Sequence, residues 1–417
     1  MIHKFGVMED DINEFSEQRI ATRFRFAFVF SLLKFTFHSS IQGLDLIGTN
    51  NTKELKMSNV ARDVLWPTDS NVLIRIGMLY VGQGDASVAL IKDGTTYKTI
   101  LIDINRDAEG HNGINVPKLM KDLLTNQNGR LDLFVNTHPH TDHLDDITEL
   151  NESVDIHEVW ESGHVPGKDD KASYDELQKV IKAVKKKHGS KAVIEMRGSD
   201  SATAFGEAEI YILSPADYVK TDIAGEDAAG RRKRIHEHCA VLRIGKDDTW
   251  VLFTGDADRT AWEDHITDHH EDRLPSKILN ASHHGSRTFF KHDKDDEDPY
   301  MKALETINPE YVIVSAPKQS ESRHEHPHDD AMELYEDHVG EDNVLHTGAN
   351  HESFICDIFT DGTYEVRVDT KLVEEYGRDN EKKDEKSEKK NSSSARVIQS
   401  AAPTVATRLD QRPMGLE

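Results

Sequence analysis

From Val72 onward the apolar positions fall in the short, β-branched runs expected of strands. The run "VLIRIGMLYV" (72–81) is extended in character and stops at "GQGD", a turn. "ASVALI" and "KTILIDI" come next as apolar runs, with "KDGTTY" between them as a hairpin signal. Helix and strand then alternate. "VPKLMKDLLT" has helical spacing and "LDLFVNT" reads as a buried strand. "SYDELQKVIKAVKKKHG" reads as an amphipathic helix closed by Gly189. Strands are predicted next at "KAVIEMR", "AEIYIL", "CAVLRI", "TWVLFT", "SKILNAS", "EYVIVSAP" and "ESFICDIFT". Helices are predicted near 258–268, 299–306 and 329–338. Two blocks of strands with interspersed helices predict two packed sheets with helices outside.

The flanks differ from this pattern. Residues 1–56 share no pattern with the rest of the chain, and Met57 is a candidate start, with 1–56 as an appendage of unknown role. Within it "FAFVFSLLKFTF" (26–37) is too short to cross a bilayer, which takes ~20 residues. It reads as a buried helix or strand, with a membrane-surface element as the alternative. The body is expected to run over 57–372. The stretch 373–417 is charged, then rich in Ser, Ala and Pro, and is expected to be disordered, with a protein partner as the use it suggests.

Composition narrows the classes. The 417 residues carry a net charge of -25, which does not suit a broad grip on nucleic acid or anionic lipid. Two cysteines make no disulfide framework, so a reducing, cytoplasmic setting is the default, without an integral membrane segment. The 23 histidines matter because they cluster.

"THPHTDH" (137–143) comes directly after the buried strand "LDLFVNT" and therefore opens a loop at a strand's end. His138 and His140, two apart on extended chain, can face one centre; Asp142 and His143 can face a second. Neutral imidazole suits zinc, and carboxylate suits zinc or manganese. "WVLFTGDAD" sets Asp256 after another strand, "LNASHHGSRT" sets His283 and His284 at the end of a third, and "RIHEHCAVLRI" sets His236 and His238 before a fourth. Each of these alone is an ordinary loop residue; together with "THPHTDH" they point to metal.

The motif HxHxDH, then a histidine, then GD, then a histidine resembles that of the metallo-β-lactamase-fold hydrolases. "YVGQGDASVALI", "TILIDI", "THPHTDHLDDI", "VLFTGDAD", "SHHGS" and "HPH" resemble the soluble hydrolase domain of the ComEC competence family and its stand-alone relatives, over roughly 74–366. The resemblance implies a mixed α/β (α+β) fold, a four-layer αββα sandwich, and a dinuclear site. His138 and His140 would bind one metal with His236, or with His238 as runner-up. Asp142 and His143 would bind the other with His283, and Asp256 would bridge. Asp103 would orient the site from behind, although "DINRDAEG" departs from the family's D-x-G.

The expected cofactors are two divalent ions, zinc first and manganese second. They would activate water, with Asp142 handling the proton as well as ligating. In "SRHEHPHDDA", His326 or His328 is a candidate to contact the oxyanion or protonate the leaving group; the other reading is a helix N-terminal loop. His284 and Ser286 are candidate substrate contacts, and Asp85 of "GQGD" a candidate neighbour of the site. Arg232 and Arg234 of "AGRRKRIHEH" are candidate phosphate contacts just before His236. The activity expected is phosphodiester hydrolysis on a nucleotide or nucleic acid. The alternatives are an ester, thioester or lactone hydrolase, or a non-catalytic metal-stabilised scaffold.

Overall fold

The computed structural model describes residues 59–167 and 170–380. The expectations placed on 1–56 and on 381–417 lie outside the described residues.

Two sheets are built largely from the predicted runs. In the first, eight strands lie in the order Tyr364–Asp369, Ser353–Phe359, Val72–Met78, Ser87–Asp93, Thr96–Ile102, Leu133–Asn136, Val159–Glu161, Val193–Glu195. In the second, seven lie in the order Val344–His346, Tyr311–Val314, Ile278–Asn280, Thr249–Phe253, Val241–Lys246, Ala208–Ser214, Thr203–Phe205. In the first sheet the predicted hairpin joins Ser87–Asp93 to Thr96–Ile102 through Gly94 and Thr95. Each sheet changes from antiparallel to parallel pairing part-way across, at Thr96–Ile102 with Leu133–Asn136 and at Thr249–Phe253 with Ile278–Asn280.

The strands' alternation builds three apolar layers, which is what makes the fold a four-layer αββα sandwich. Ile74, Ile76, Ile100, Ile102 and Val135 of the first sheet face Ile244, Val251, Phe253, Ile278 and Ile313 of the second. One residue along, Leu252, Leu279 and Val312 point the other way, onto Trp262, Phe289, Phe290, Leu304 and Tyr335. On the outer face of the first sheet, Val88, Leu90, Leu101 and Phe134 meet the helices Val116–Leu123, Ile147–Ser153 and Lys171–His188. Gly189 closes the last of these at φ +97°.

Two expectations need correction. The tail does not begin at 373: Lys371–Tyr376 is a helix whose Leu372, Val373 and Tyr376 are buried, and Tyr376 Oη bonds the Asp122 carboxylate at 3.1 Å. Its apolar face was hidden among charged neighbours. Four strands of the two sheets were not predicted: Val159–Glu161, Thr203–Phe205 and Val344–His346 are only three residues long, and Tyr364–Asp369 is an edge strand without a clean buried face. Among the described residues no helix is long and apolar enough to cross a membrane.

Candidate metal centre

The site is assembled where strands of both sheets run out. Leu133–Asn136 delivers "THPHTDH", Thr249–Phe253 delivers Asp256, and Ile278–Asn280 delivers His283 and His284. The turn into Asp256 depends on Gly255: at φ +46° an added Cβ would lie 2.7 Å from Cys239 Sγ and 2.8 Å from Thr137 Oγ1. The two histidines after Ile278–Asn280 are themselves left-handed, at φ +51° and +57°. Such backbone costs on the order of 1 kcal/mol or more per residue and persists only where its surroundings enforce it.

Two groups form around one carboxylate. The first holds His138, His140, His236 and Asp256; the second holds Asp85, His143, His284 and Asp256. In each, the candidate ligand atoms lie within 4.8 Å of one another. In the first, His236 Nε2 is 3.3 Å from His140 Nδ1, and His138 Nε2 is 3.5 Å from Asp256 Oδ2. In the second, His143 Nε2 is 3.1 Å from Asp256 Oδ1 and 3.3 Å from His284 Nε2.

The surroundings set which nitrogen faces inward. Asp103 accepts from Thr137 N–H at 2.8 Å, from Thr137 Oγ1 at 2.6 Å and from His143 Nδ1 at 2.8 Å. A carboxylate so used only accepts, so His143 carries its hydrogen on Nδ1 and turns Nε2 to the centre. His284 Nδ1 likewise donates to the Ser315 carbonyl at 3.0 Å. Thr137 Oγ1, already donating to Asp103, accepts from His138 Nδ1 at 3.2 Å, which leaves His138 Nε2 facing Asp256.

The inward atoms fit a cation. His138 Nε2, Asp256 Oδ1 and Asp85 Oδ2 are buried and have no hydrogen-bond partner among the described residues. Unsatisfied buried polar atoms are costly, and a divalent ion satisfies several together. The protonation pattern agrees. Burial opposes a charge on His284, but Asp256 and Asp142 outweigh it and raise its pKa to about 9. Burial likewise opposes ionisation of Asp256, and His143 with the neighbouring imidazoles holds it well below the usual carboxylate range. The carboxylates thus draw positive charge to this point.

The remaining predicted residues divide between the cleft and its surroundings. His238 does not join either group: its Nδ1 lies 2.9 Å from His164 Nδ1 in a separate cavity, because the segment after His236 turns it away. His283 approaches Asp256 Oδ2 at 3.5 Å but packs its ring on His236, at 4.3 Å between centroids; of the adjacent pair it is His284 that stands beside His143. Asp142 Oδ2 is 3.5 Å from His284 Nε2. Asp85, expected behind the site, stands in the second group. Gly84 holds it there, passing so close to Asp142 that a Cβ would lie 2.4 Å from the Asp142 carbonyl oxygen.

His326 lines the same cleft as the two groups. Burial, and then His284, lower its pKa to about 3, which leaves its ring neutral near pH 7. His328 instead faces a neighbouring hollow, outside the cleft that holds the two groups, and its Nδ1 accepts from Arg287 N–H at 3.2 Å. Ser286 is buried and its Oγ accepts from Thr288 N–H at 3.3 Å, as a local cap.

Arg232 and Arg234 do not line the cleft. The helix Ala228–Lys233 carries Arg232 over Gly167, and Arg234 is bound by Glu237, Asp222 and Glu226 at 2.5–2.7 Å. The cleft, about 500 Å³, is lined instead by Gln83, Asn105, Glu109, Asp145, Asp170 and Arg323, among others. Gln83 belongs to the "GQGD" turn and was expected to approach the site, while Asp145 and Arg323 lie within "THPHTDHLDDI" and "SRHEHPHDDA" without having been singled out. Asn105, Glu109 and Asp170 were not singled out from the sequence either.

No family model matches the chain. No curated protein matches it either. Among solved structures it is similar to a diphosphatase from the PhnP family, at 12% identity over 71% of this chain and 98% of that one, with a TM-score of 0.33. It is also similar to a metallo-β-lactamase from Hirschia baltica, at 10% identity over 67% of this chain and 87% of that one, TM-score 0.25. A β-lactamase from Chitinophaga pinensis aligns at 13% identity over 67% and 97%, TM-score 0.27.

Proposed function

We propose that the chain is a metal-dependent hydrolase of the metallo-β-lactamase superfamily, related to the ComEC hydrolase domain, and that it cleaves a phosphodiester in a small nucleotide-type substrate. The observation that carries the metal is the pair of His/Asp groups sharing Asp256, with three buried inward atoms lacking partners. His138, His140 and His236 would hold one ion, and His143, His284 and Asp85 or Asp142 the other, with Asp256 common to both. Three imidazoles favour zinc in the first position; the richer oxygen set of the second suits zinc or manganese. When bound, two such ions would supply Lewis acidity to activate water near neutral pH and to offset charge on the leaving oxygen.

The chain's own groups do the rest. Asp142, with Oδ2 3.5 Å from His284 Nε2, would receive the proton of the attacking water. His326, with Nδ1 3.5 Å from Gln83 Nε2, has its other nitrogen to offer an oxyanion. Asp103 keeps Thr137 and His143 in register from behind.

The acidic lining favours a small substrate over a long polyanion. Glu109, Asp142, Asp145 and Asp170 face the cleft, and Arg323 is the arginine among its lining residues. A reducing, cytoplasmic location accords with two buried cysteines that remain unpaired.

Hydrolysis of bis-p-nitrophenyl phosphate, with metal content by mass spectrometry, tests the reading on wild type and Asp256→Asn. Two metals per chain, with turnover abolished in the variant, support it. Two metals without phosphodiester turnover would move the reading to ester, thioester or lactone substrates; no metal would leave a scaffold.

A further inference from the structure

A second cavity, of about 270 Å³, lies on the other side of the short segment that carries both His236 and His238. His236 lines the main cleft, whereas His238 lines this cavity with His164, Lys220, Arg231, Glu195 and Ile223. Nothing in the hydrolytic reading uses these groups, yet they are unusual. His164 and His238 are 1% and 3% exposed, and the Nε2 atom of each has no hydrogen-bond partner among the described residues. Arg231 Nε is also buried without one. Buried nitrogens left unsatisfied are costly, so a ligand that satisfies all three would be held firmly.

The hydrogen-bonding arithmetic defines that ligand. The two Nδ1 atoms are 2.9 Å apart, a distance that requires one hydrogen between them. One ring therefore carries its hydrogen on Nδ1 and presents a bare Nε2; the other presents Nε2–H. Lys220 Nζ donates to the Met196 carbonyl at 2.8 Å and to Glu195 at 2.5 Å, which uses two of its three hydrogens. The lining thus offers N–H groups from an imidazole, Arg231 and Lys220, together with one bare nitrogen. Formal charge there is positive, since Arg231 and Lys220 face the single carboxylate Glu195 among the lining residues. A divalent cation is repelled by that balance. Ile223, Ala224 and Val165 make the remaining wall apolar.

We propose that this cavity is an anion site for a phosphate monoester with a small apolar substituent, separate from the metal centre. The phosphoryl oxygens accept from the imidazole, guanidinium and ammonium, and a protonated phosphate oxygen donates to the bare Nε2. The volume exceeds what a bare phosphate fills, which leaves room for the substituent against Ile223 and Ala224.

Phenyl phosphate is the probe, titrated by calorimetry into the metal-loaded full chain, with benzoate as the carboxylate comparison. Binding at the metal centre is separated from binding here by Asp256→Asn. The expected result is a binding step that survives Asp256→Asn and weakens at least tenfold in both Arg231→Gln and His164→Gln, with benzoate weaker than phenyl phosphate. Should Arg231→Gln fold poorly, Lys220→Met replaces it and must show the same loss. The proposal is overturned if no step survives Asp256→Asn, if the surviving step ignores these substitutions, or if benzoate binds as well. Hydrolytic activity is not read in this experiment, so its outcome is independent of the proposed reaction.

Discussion

At the strand ends, His138, His140 and His236 gather round Asp256; on the surface, His157 and His188 gather round Asp155. The residue types are the same. At the surface, however, Asp155 already accepts from His188 Nε2 at 3.0 Å and from Lys187 Nζ at 2.6 Å, with His157 Nε2 at 3.2 Å, and all three residues are partly exposed. An ammonium sits where a cation would go, and water can reach every group. At the strand ends the carboxylate is 1% exposed, one of its oxygens lacks a partner, and the rings are locked by Asp103, Thr137 and Ser315. Unpartnered, pre-oriented and buried ligand atoms distinguish a candidate metal centre from a charged surface patch that shares its composition.

The sharpest way to break this contrast is His236→Ala. It should remove one of two metals and lower phosphodiester turnover roughly 100-fold or more, since even outer partners of ligands are worth about 10–100-fold; unaltered metal content by mass spectrometry would break it. Asp103→Asn comes next. It keeps the shape but offers an amide where His143 Nδ1–H and Thr137 need an acceptor, so metal affinity should fall about 10–100-fold in a chelator competition.

A smaller effect is expected from His164, which belongs to neither group. Burial, and then His238, lower its pKa to about 3, while an unfolded imidazole titrates near 6.5. Its neutral form is favoured by the fold, so its contribution is full above pH ~6.5 and is lost as pH falls. At pH 5 the loss is roughly 2 kcal/mol. Urea melts of His164→Gln should therefore show a shallower decline between pH 7.5 and 5 than wild type. The smallest effect belongs to the surface group: His157→Ala should change stability by less than about 0.5 kcal/mol and leave the metal count at two.

The contrast also explains what was legible in the sequence. Runs such as "TWVLFT" declared themselves because strands buried on both faces admit little but apolar residues. "THPHTDH" declared itself because its ligands are local. The choice between His283 and His284 did not, since two adjacent left-handed residues redirect both rings and no spacing rule covers that backbone. Asp85 was seen as a neighbour but not as a member of the second group; its approach depends on Gly84 closing on Asp142, a contact between distant segments. Arg232 and Arg234 misled for the converse reason. Their closeness to His236 in sequence is undone by a helix that carries them to Gly167 and to three acids.

The sharing of Asp256 has a mechanical consequence. His138, His140 and His143 hang from the first sheet; Asp256 and His284 hang from the second, and Cys239 and Cys356 are both unpaired. Ions bound between them would be the cross-links that this chain does not make with sulfur, and unlike a disulfide they would act by binding the folded chain alone, so that their binding energy would add to its stability. Stripping them with a chelator should then open the sandwich along the seam between its sheets, and protease would find its first cuts there before the helices on either outer face give way.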